Sequence, residues 1–301
     1  DSHRLIEDFM IAANVAAAET LVDRQAPCLF RIHDKPDPLR IESLTGVLGE
    51  MGIKASASAI TRPRQFSDLV RKAADTPYAA LVSELVLRAQ SQAVYHPENI
   101  GHFGLALARY AHFTSPIRRY SDLIVHRSLI ASLGLGEGGL SREEHARLDK
   151  VAEHISMTER RAAAAERQVH ERFAAAYMAN HIGETFQARI SGVHKAGVFV
   201  RIDAIGAEGL VPRGLLPDDF WDVDPGRHLL IGRRTGLEFR LGDEIEVVLQ
   251  SAEPISGGLI FAAAIEGARQ PSRPSAKRPG SKRPPGKPGG GPKRGGGRKR
   301  R

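Results

Sequence analysis

The chain has 301 residues, 42% of them hydrophobic, which is enough for about two domains with proper cores. It has no run of about 18 apolar residues, so the sequence predicts no membrane-spanning helix. Its single cysteine, Cys28, excludes an internal disulfide framework and suits a reducing cytoplasm.

The positive charge is concentrated at the C-terminal end. The net charge is +8, and residues 267–301 contain 13 Lys and Arg but no Asp or Glu, so the residues before them carry −5. A segment made almost entirely of Gly, Pro, Ser, Lys and Arg cannot bury a core and is predicted to be a disordered tail. A block of one charge sign favours an arm that binds polyphosphate by counterion release over a merely solubilising extension.

Apolar periodicity predicts a mainly helical N-terminal part. A strong helical pattern covers residues 4–22, and a short strand with a turn is predicted at 27–38. The stripe of the first helix is formed by Leu5, Phe9, Ala12, Ala13 and Ala16. Further helices are predicted at 39–51, 65–74, 77–92 and, as one long alanine-rich segment, 141–180.

The pattern changes at about Gly183, where apolar and polar residues alternate and glycines stand at the turns. This pattern is typical of short antiparallel strands. About five such strands in about 80 residues predict a small closed barrel. An insertion of mixed strand and loop character, residues 216–239, interrupts them.

The decapeptide AHFTSPIRRY, residues 111–120, predicts the start of a helix, with Ser115 as N-cap and Pro116 at the first helical position. Arg118 and Arg119 then fall in the first turn, where the helix dipole disfavours cations. Either both face water at a small cost, or free N–H groups and two guanidiniums form an anion site. Asp122 is predicted to lie one turn after Arg118 and to hold its guanidinium.

Several stretches together resemble one enzyme family. Residues 7–19, 102–129 and 155–169 are similar, in order and spacing, to the C-terminal half of the RNB catalytic domain of the RNase R and RNase II exoribonucleases. Residues 192–212 resemble the S1-type RNA-binding domain that follows it there. The stretch HFTSPIRRYSDLIVHR is highly specific, and the insertion and basic tail are more typical of RNase R.

The resemblance implies an α+β multidomain protein. Residues 1–181 would form the mainly helical half of the RNB domain, residues 182–266 an all-β OB-fold (S1-type) barrel, and residues 267–301 the disordered tail. The implied function is a 3′-to-5′ exoribonuclease that hydrolyses RNA processively to nucleoside 5′-monophosphates, with Mg²⁺ driving attack by water. A cytoplasmic monomer acting on single-stranded or structured RNA is expected, with the ribosome or ribosomal RNA as a further partner of the tail.

The same resemblance assigns roles to individual residues. Arg118 would face the scissile phosphate, and Glu7 would position the terminal nucleotide; both are the catalytic candidates. The candidate RNA contacts are Arg119, Ser115, Tyr120, His112, Phe186, Phe199, Lys195 and Arg201. Asp122 and Glu166 are supporting candidates, with either Glu159 or Glu166 expected near the RNA channel. No metal ligand is expected in this chain: the family's metal-binding aspartates would lie upstream of Asp1, so the chain, which has no initial Met, is expected to be part of something longer.

Other side chains have structural interpretations. Asn14 is expected to satisfy buried backbone, Tyr120 to pack its helix on the core, and Cys28 to be buried. Val198 and Phe199 should face opposite sides of a strand, so only one belongs to the core.

Two groups of potential metal ligands are expected not to bind metal. The histidines His102, His112 and His126 lack a metal-ligand spacing and favour structural or RNA-contacting roles. A solvated loop is favoured over a cation site for the acidic cluster Asp218, Asp219, Asp222 and Asp224. A non-catalytic S1-type RNA-binding protein, and a structural role exercised through the tail, remain alternatives to the nuclease.

Overall fold

A computed structural model of the chain describes residues 2–60, 62–76 and 78–265, so the predicted tail at 267–301 lies outside the described residues. The helices are α1 Ser2–Asp23, α2 Pro38–Glu50, α3 Pro63–Ala73, α4 Ala79–Ala89, α5 Tyr120–Leu133, α6 Arg142–His145 and α7 Leu148–Met178. The strands are β1 Phe30–Ile32, β2 Val94–His96, β3 Thr185–His194, β4 Gly197–Ile202, β5 Ala207–Pro212, β6 Trp221–Asp224, β7 Leu229–Gly232, β8 Glu238–Arg240, β9 Glu244–Glu253 and β10 Gly258–Ala263. No described helix has the length and apolar character needed to cross a membrane.

Helix α1 packs through its C-terminal half only. Its buried residues are Asn14, Ala17, Ala18 and Leu21, which meet β1 and α5 in one apolar cluster. The stripe predicted from periodicity is therefore not the buried face, because its Leu5 and Phe9 are more than half exposed.

Two further clusters complete the helical part. Helices α2, α3 and α4 pack on one another around residues such as Leu48, Phe66 and Val82. Strands β1 and β2 form an antiparallel pair in which Arg31 lies opposite Tyr95. The first turns of α7 cover this pair with Leu148 and Ala152.

The predicted helix 141–180 is interrupted near its start. A capping box begins α6: the Ser141 hydroxyl accepts from Glu144 N, and the Glu144 carboxylate accepts from Ser141 N. The chain leaves helical geometry at Arg147, whose φ is −111° and ψ is 5°. Helix α7 then runs unbroken for 31 residues.

The predicted five-stranded barrel is confirmed. Strands β10, β5, β4, β3 and β9 close into a barrel in that order. Within the insertion, β6, β7 and β8 form a separate antiparallel sheet, where the sequence indicated only mixed strand and loop. Ala175 and Met178 of α7 are buried in the same apolar cluster as the barrel side chains, so the C-terminal end of this helix packs against the barrel.

The barrel is anchored on the α2–α4 layer. The Arg88 guanidinium donates to Ser191 O of β3 over 2.7 Å. Glu50 pairs with Arg227 at 2.5 Å and with Arg240 at 2.6 Å. Leu241, between β8 and β9, is buried in the α2–α4 cluster. Polar and apolar contacts together therefore join the two parts.

Candidate functional site

The arginine pair lies in a tight turn that precedes α5. Arg118 N and Arg119 N both donate to Ser115 O, and α5 begins only at Tyr120, with Arg119 as its N-cap residue in extended geometry. The prediction of a helix capped by Ser115 is therefore wrong. The arginines stand directly before the helix, still at the positive end of its dipole, and the Asp122 carboxylate offsets that charge for Arg119.

Asp122 is the buried centre of this turn. Its Oδ1 accepts from Ser115 N at 2.8 Å and from the Arg119 guanidinium at 2.7 Å, and its Oδ2 accepts from the Ser121 hydroxyl at 3.0 Å. The predicted pairing of Asp122 with Arg118 is wrong, because the later helix start brings Arg119 to the carboxylate. The acid in the first turn of α5 is placed as the helix dipole favours.

Arg118 is left free by this arrangement. Its side chain is exposed and has no hydrogen-bond or ion-pair partner among the described residues. Ile117 beside it is fully exposed. Tyr120 is about half exposed, so the expectation that it packs on the core is wrong. The turn therefore presents one unpaired guanidinium flanked by apolar and aromatic surface.

Asn14 fixes the segment that leads into the turn, which confirms its structural role. Its Oδ1 accepts from Phe113 N at 2.9 Å and Thr114 N at 3.2 Å, and its Nδ2 donates to the Tyr110 hydroxyl at 3.1 Å. Glu7 lies two helical turns earlier on the same face of α1, about 10 Å away along the axis. Its carboxylate is exposed and has no partner among the described residues.

The histidines of this region are held by contacts within the fold. His112 Nδ1 hydrogen-bonds the Tyr95 hydroxyl at 2.9 Å, and burial, helped by Arg119, lowers the pKa of His112 to about 3. Burial also lowers the pKa of His102 to about 4, with His33 adding to the effect. His126 Nε2 bonds Phe113 O at 2.8 Å. Each ring therefore has a hydrogen-bond or ring contact inside the fold, and an RNA contact of His112 stays a prediction.

On the barrel, strand alternation is confirmed: Val198 is fully buried, whereas Phe199 is 38% exposed. Lys195, in the turn before β4, is exposed and has no partner among the described residues. Arg201 is already engaged, by Asp203 at 3.1 Å and by Glu84 of α4 at 4.0 Å. Phe199 and Lys195 thus form the accessible part of the predicted RNA face.

Phe186, the other predicted stacking residue of the barrel, is packed rather than free. It lies against the barrel core, with its ring meeting the His181 ring edge-on at 6.5 Å.

Comparison with known proteins places this geometry in a family. The RNB domain model matches residues 1–134, and the S1 RNA binding domain model matches residues 180–261. Ribonuclease R of Escherichia coli (strain K12) is 40% identical over 259 residues, which cover 83% of this chain and 32% of that protein. The chain belongs to the RNB family and is of the RNase R type.

Further relatives agree with this assignment. Ribonuclease R of Aquifex aeolicus (strain VF5) is 43% identical over 246 residues, 82% of this chain and 35% of that protein. The apo form of Mycoplasma genitalium RNase R superimposes with a TM-score of 0.81 at 28% identity, covering 87% of this chain and 42% of that chain. The chain thus spans about a third of the length of these curated relatives.

One cluster of the candidate site, formed by Arg31, Tyr95 and Glu159, was not predicted from the sequence. The Arg31 guanidinium lies 4.5 Å above the Tyr95 ring and pairs with both oxygens of Glu159, at 2.7 and 3.0 Å. These residues come from β1, β2 and α7. The one available signal was an arginine inside the apolar strand LFRI. Of the two glutamates considered on α7, Glu159 joins the site, whereas Glu166 is exposed and has no partner among the described residues.

No metal site is found in the part of the chain that the structure describes: it contains no group of three or more His, Cys, Asp or Glu that could hold an ion. The acidic cluster of the insertion serves its own fold. Asp219 accepts from Phe220 N, Arg234 N and Thr235 N, and Asp222 pairs with Arg233 at 2.5 Å, which lowers the pKa of Asp222.

Proposed function

We propose that this chain forms the C-terminal portion of a 3′-to-5′ exoribonuclease of the RNase R type, which hydrolyses RNA processively to nucleoside 5′-monophosphates. In each cycle water attacks the terminal phosphodiester, the nucleotide leaves with its 5′-phosphate, and the shortened RNA keeps a new 3′ hydroxyl. The observation that carries the proposal is the exposed, unpaired Arg118 on a turn that Asp122 and Asn14 hold from two sides.

The geometry of the turn and the resemblance to the family together support a role for each of the chain's own residues. Arg118 would bind the terminal phosphate, because a free guanidinium offers forked donors to phosphate oxygens. Arg119 would hold the turn through Asp122 and contribute positive charge near the same phosphate. Glu7 would position the terminal nucleotide. Phe199 and Lys195 would guide the incoming strand by stacking and charge on the barrel.

The requirement for Mg²⁺ stays a prediction. Mg²⁺ would stabilise charge on the attacking and leaving oxygens, but the described residues do not by themselves fit a Mg²⁺ site. Aspartate ligands would therefore have to come from outside these residues. The cytoplasmic location, the monomeric state and a ribosomal partner for the tail are likewise predictions of the resemblance.

The test compares the 301-residue chain with a form extended upstream through any coding sequence that precedes it. Each is incubated with 5′-labelled single-stranded RNA and Mg²⁺. We expect the extended form to shorten the RNA from its 3′ end and Arg118→Ala to lower kcat/KM by about 10²-fold. Arg142→Ala, an exposed arginine on α6, is the control that should keep full activity.

Variants of Arg118 and of its neighbour Arg119 should differ in their effect on folding stability. Arg118→Ala should leave the free energy of unfolding unchanged, since its side chain is exposed and makes no hydrogen bond or ion pair with the described residues. Arg119→Ala should lower it by about 3 kcal/mol, because Asp122 would be left buried without its counter-charge. If the extended form binds RNA but never shortens it, the nuclease proposal fails and an S1-type RNA-binding protein replaces it.

A further inference from the structure

Helix α7 carries a row of large apolar side chains on the side that faces away from the barrel. Phe173 is 72% exposed, Tyr177 54% and Val169 47%, and these three residues are called the outer row below. The side chains that bury this part of α7 are Ala175 and Met178. At about 100° per residue, the two aromatic side chains point away from that buried pair. An exposed apolar row of this kind marks an interaction surface.

The outer row is continuous with the barrel through a series of rings. The Tyr177 ring lies 4.8 Å from the His181 ring, and the His181 ring meets the Phe186 ring of β3 at 6.5 Å. The match to the S1 RNA binding domain model begins at residue 180. Aromatic surface therefore leads from the exposed face of the helix onto the domain that binds RNA.

The other end of the same helix face reaches the candidate site. Glu159, which pairs with Arg31 at 2.7 Å, precedes Tyr177 by 18 residues. Eighteen residues make five helical turns, so Glu159 and Tyr177 lie on one line of the helix, about 27 Å apart. The outer row thus belongs to a face that joins the barrel to the candidate site.

A second line of α7 carries positive charge that nothing in the fold neutralises. Arg161 and Arg172 are exposed, and neither has a hydrogen-bond or ion-pair partner within the described ranges. They lie about three turns apart, on a line about 100° around the helix from Phe173, called the arginine line below. The acids Glu159 and Glu166 lie on the side of the rings instead. A phosphate on this face is therefore attracted to the arginine line and repelled from the line of the rings.

Parallel lines of rings and guanidiniums match one class of partner. Single-stranded nucleic acid presents flat bases along one side and charged phosphates along the other, and proteins bind it with stacking rings beside a cationic track. An apolar protein surface would match the outer row, but it would leave the arginine line without a partner. Stacking also tolerates any sequence, because every base has a π face.

We propose that the outer face of α7 carries single-stranded RNA between the barrel and the arginine turn. Bases stack on Phe173 and Tyr177 of the outer row. Phosphates follow the arginine line, made of Arg161 and Arg172. The proposal rests on the proposed function, because it takes the RNA 3′ end to lie at Arg118.

The first experiment measures binding of 5′-labelled oligouridylate by the 301-residue chain over a series of salt concentrations, without Mg²⁺. Phe173→Ala and Tyr177→Ala should each weaken binding about tenfold and leave the salt dependence unchanged, because they remove stacking and no charge. Arg172→Ala should reduce the slope of log affinity against log salt by about 0.7, the value of one phosphate contact on a single strand.

Two matched controls accompany these variants. Leu87→Ala removes an apolar side chain that is 71% exposed on α4, and Arg142→Ala removes an exposed arginine on α6. Both should keep the native affinity and the native salt slope. Unfolding curves should show that every variant folds.

The second experiment asks whether the outer row is open to RNA in the form extended upstream. Phe173→Cys introduces a reactive thiol, whereas the chain's own Cys28 is buried. A maleimide should label this thiol readily without RNA, and most of the labelling should be lost when oligouridylate is bound. The extended form without the substitution gives the background.

Three results overturn the proposal alone. They are weak labelling of the Phe173→Cys thiol without RNA, which would show that a protein segment covers this face, native RNA affinity in both Phe173→Ala and Tyr177→Ala, and a native salt slope in Arg172→Ala. Each is compatible with shortening of RNA by the extended form. Failure of the extended form to shorten RNA, with the effects of the variants on binding intact, would instead overturn the proposed function.

Discussion

Two buried polar side chains, Asn14 and Asp122, decide the shape of the candidate site. Each accepts from backbone N–H groups of the segment 113–115, which belongs to no helix or strand. Unpaired buried donors are costly, so these acceptors hold an irregular segment in a single path. The exposed Arg118 depends on that path for its position although it touches neither residue.

At the residue scale we expect Asn14→Ala to lower the free energy of unfolding by about 3 kcal/mol, since two N–H groups and the Tyr110 hydroxyl lose their partner. Chemical denaturation measures this change. Glu19→Ala, an exposed position on the same helix, should stay within about 0.5 kcal/mol of the native value. Equal stability of the two variants would mean that Asn14 does not secure the segment.

The error at Ser115 has a physical cause that local sequence could not show. Ser115 and Asp122 are both able to accept from free N–H groups near the start of α5. In the fold, Asp122 accepts from the Ser115 N–H and the Arg119 guanidinium together, and the helix begins four residues later than a Ser115 cap requires. The Asp122 carboxylate, rather than the Ser115 hydroxyl, is therefore the acceptor that organises the start of α5.

At the scale of elements, the close pairing of β4 with β5 depends on Gly197, the first residue of β4. Its φ is +148°, and a Cβ there would lie 2.0 Å from Val211 O of β5. We expect Gly197→Ala to cost about 3 kcal/mol or more of unfolding free energy, because the β4–β5 pair would have to separate. Thermal unfolding by circular dichroism is the measurement.

Gly214→Ala is the matched control, since a Cβ at Gly214 meets no atom within 4 Å. It should melt close to the native temperature. Comparable losses in the two variants would show that backbone entropy, rather than the close approach at Gly197, sets the effect.

Periodicity predicted those elements whose stabilising contacts are local or repeat regularly. The barrel strands, the buried Val198 and the exposed Phe199 follow from alternation. The three-stranded sheet of the insertion did not, because β6, β7 and β8 are only three or four residues long and depend on pairs such as Asp222 with Arg233. The Arg31–Glu159 pair joins residues 128 positions apart, a separation that no local pattern encodes.

At the scale of the whole molecule, two histidines link folding to pH. The folded-state pKa values of His112 and His102, about 3 and about 4, lie below the ordinary value near 6.5. The unfolded chain therefore takes up protons first, and stability should fall as the pH drops from about 6.5 towards 4.

Urea unfolding at a series of pH values checks this dependence. His112→Asn should flatten the decline, whereas His170→Asn, at an exposed position on α7, should leave it unchanged. A native stability that is constant from pH 7 to pH 4, or identical slopes in all three proteins, would contradict the assignment. The lowest pH of the series, 4, lies above the folded-state pKa of His112, about 3, so this ring stays neutral in the folded protein throughout.

Helix α7 passes the candidate site at Glu159, which holds Arg31, and ends against the barrel, where Ala175 and Met178 are buried. Between them, residues 160–173 are exposed apart from Ala164. One residue inserted in this stretch would rotate its two ends by about 100° relative to each other and move them about 1.5 Å apart, whereas seven would nearly restore the rotation but add about 10 Å. Both changes conflict with the contacts that hold the barrel on the α2–α4 layer. For folding, the number of residues in this stretch is constrained more tightly than their identity.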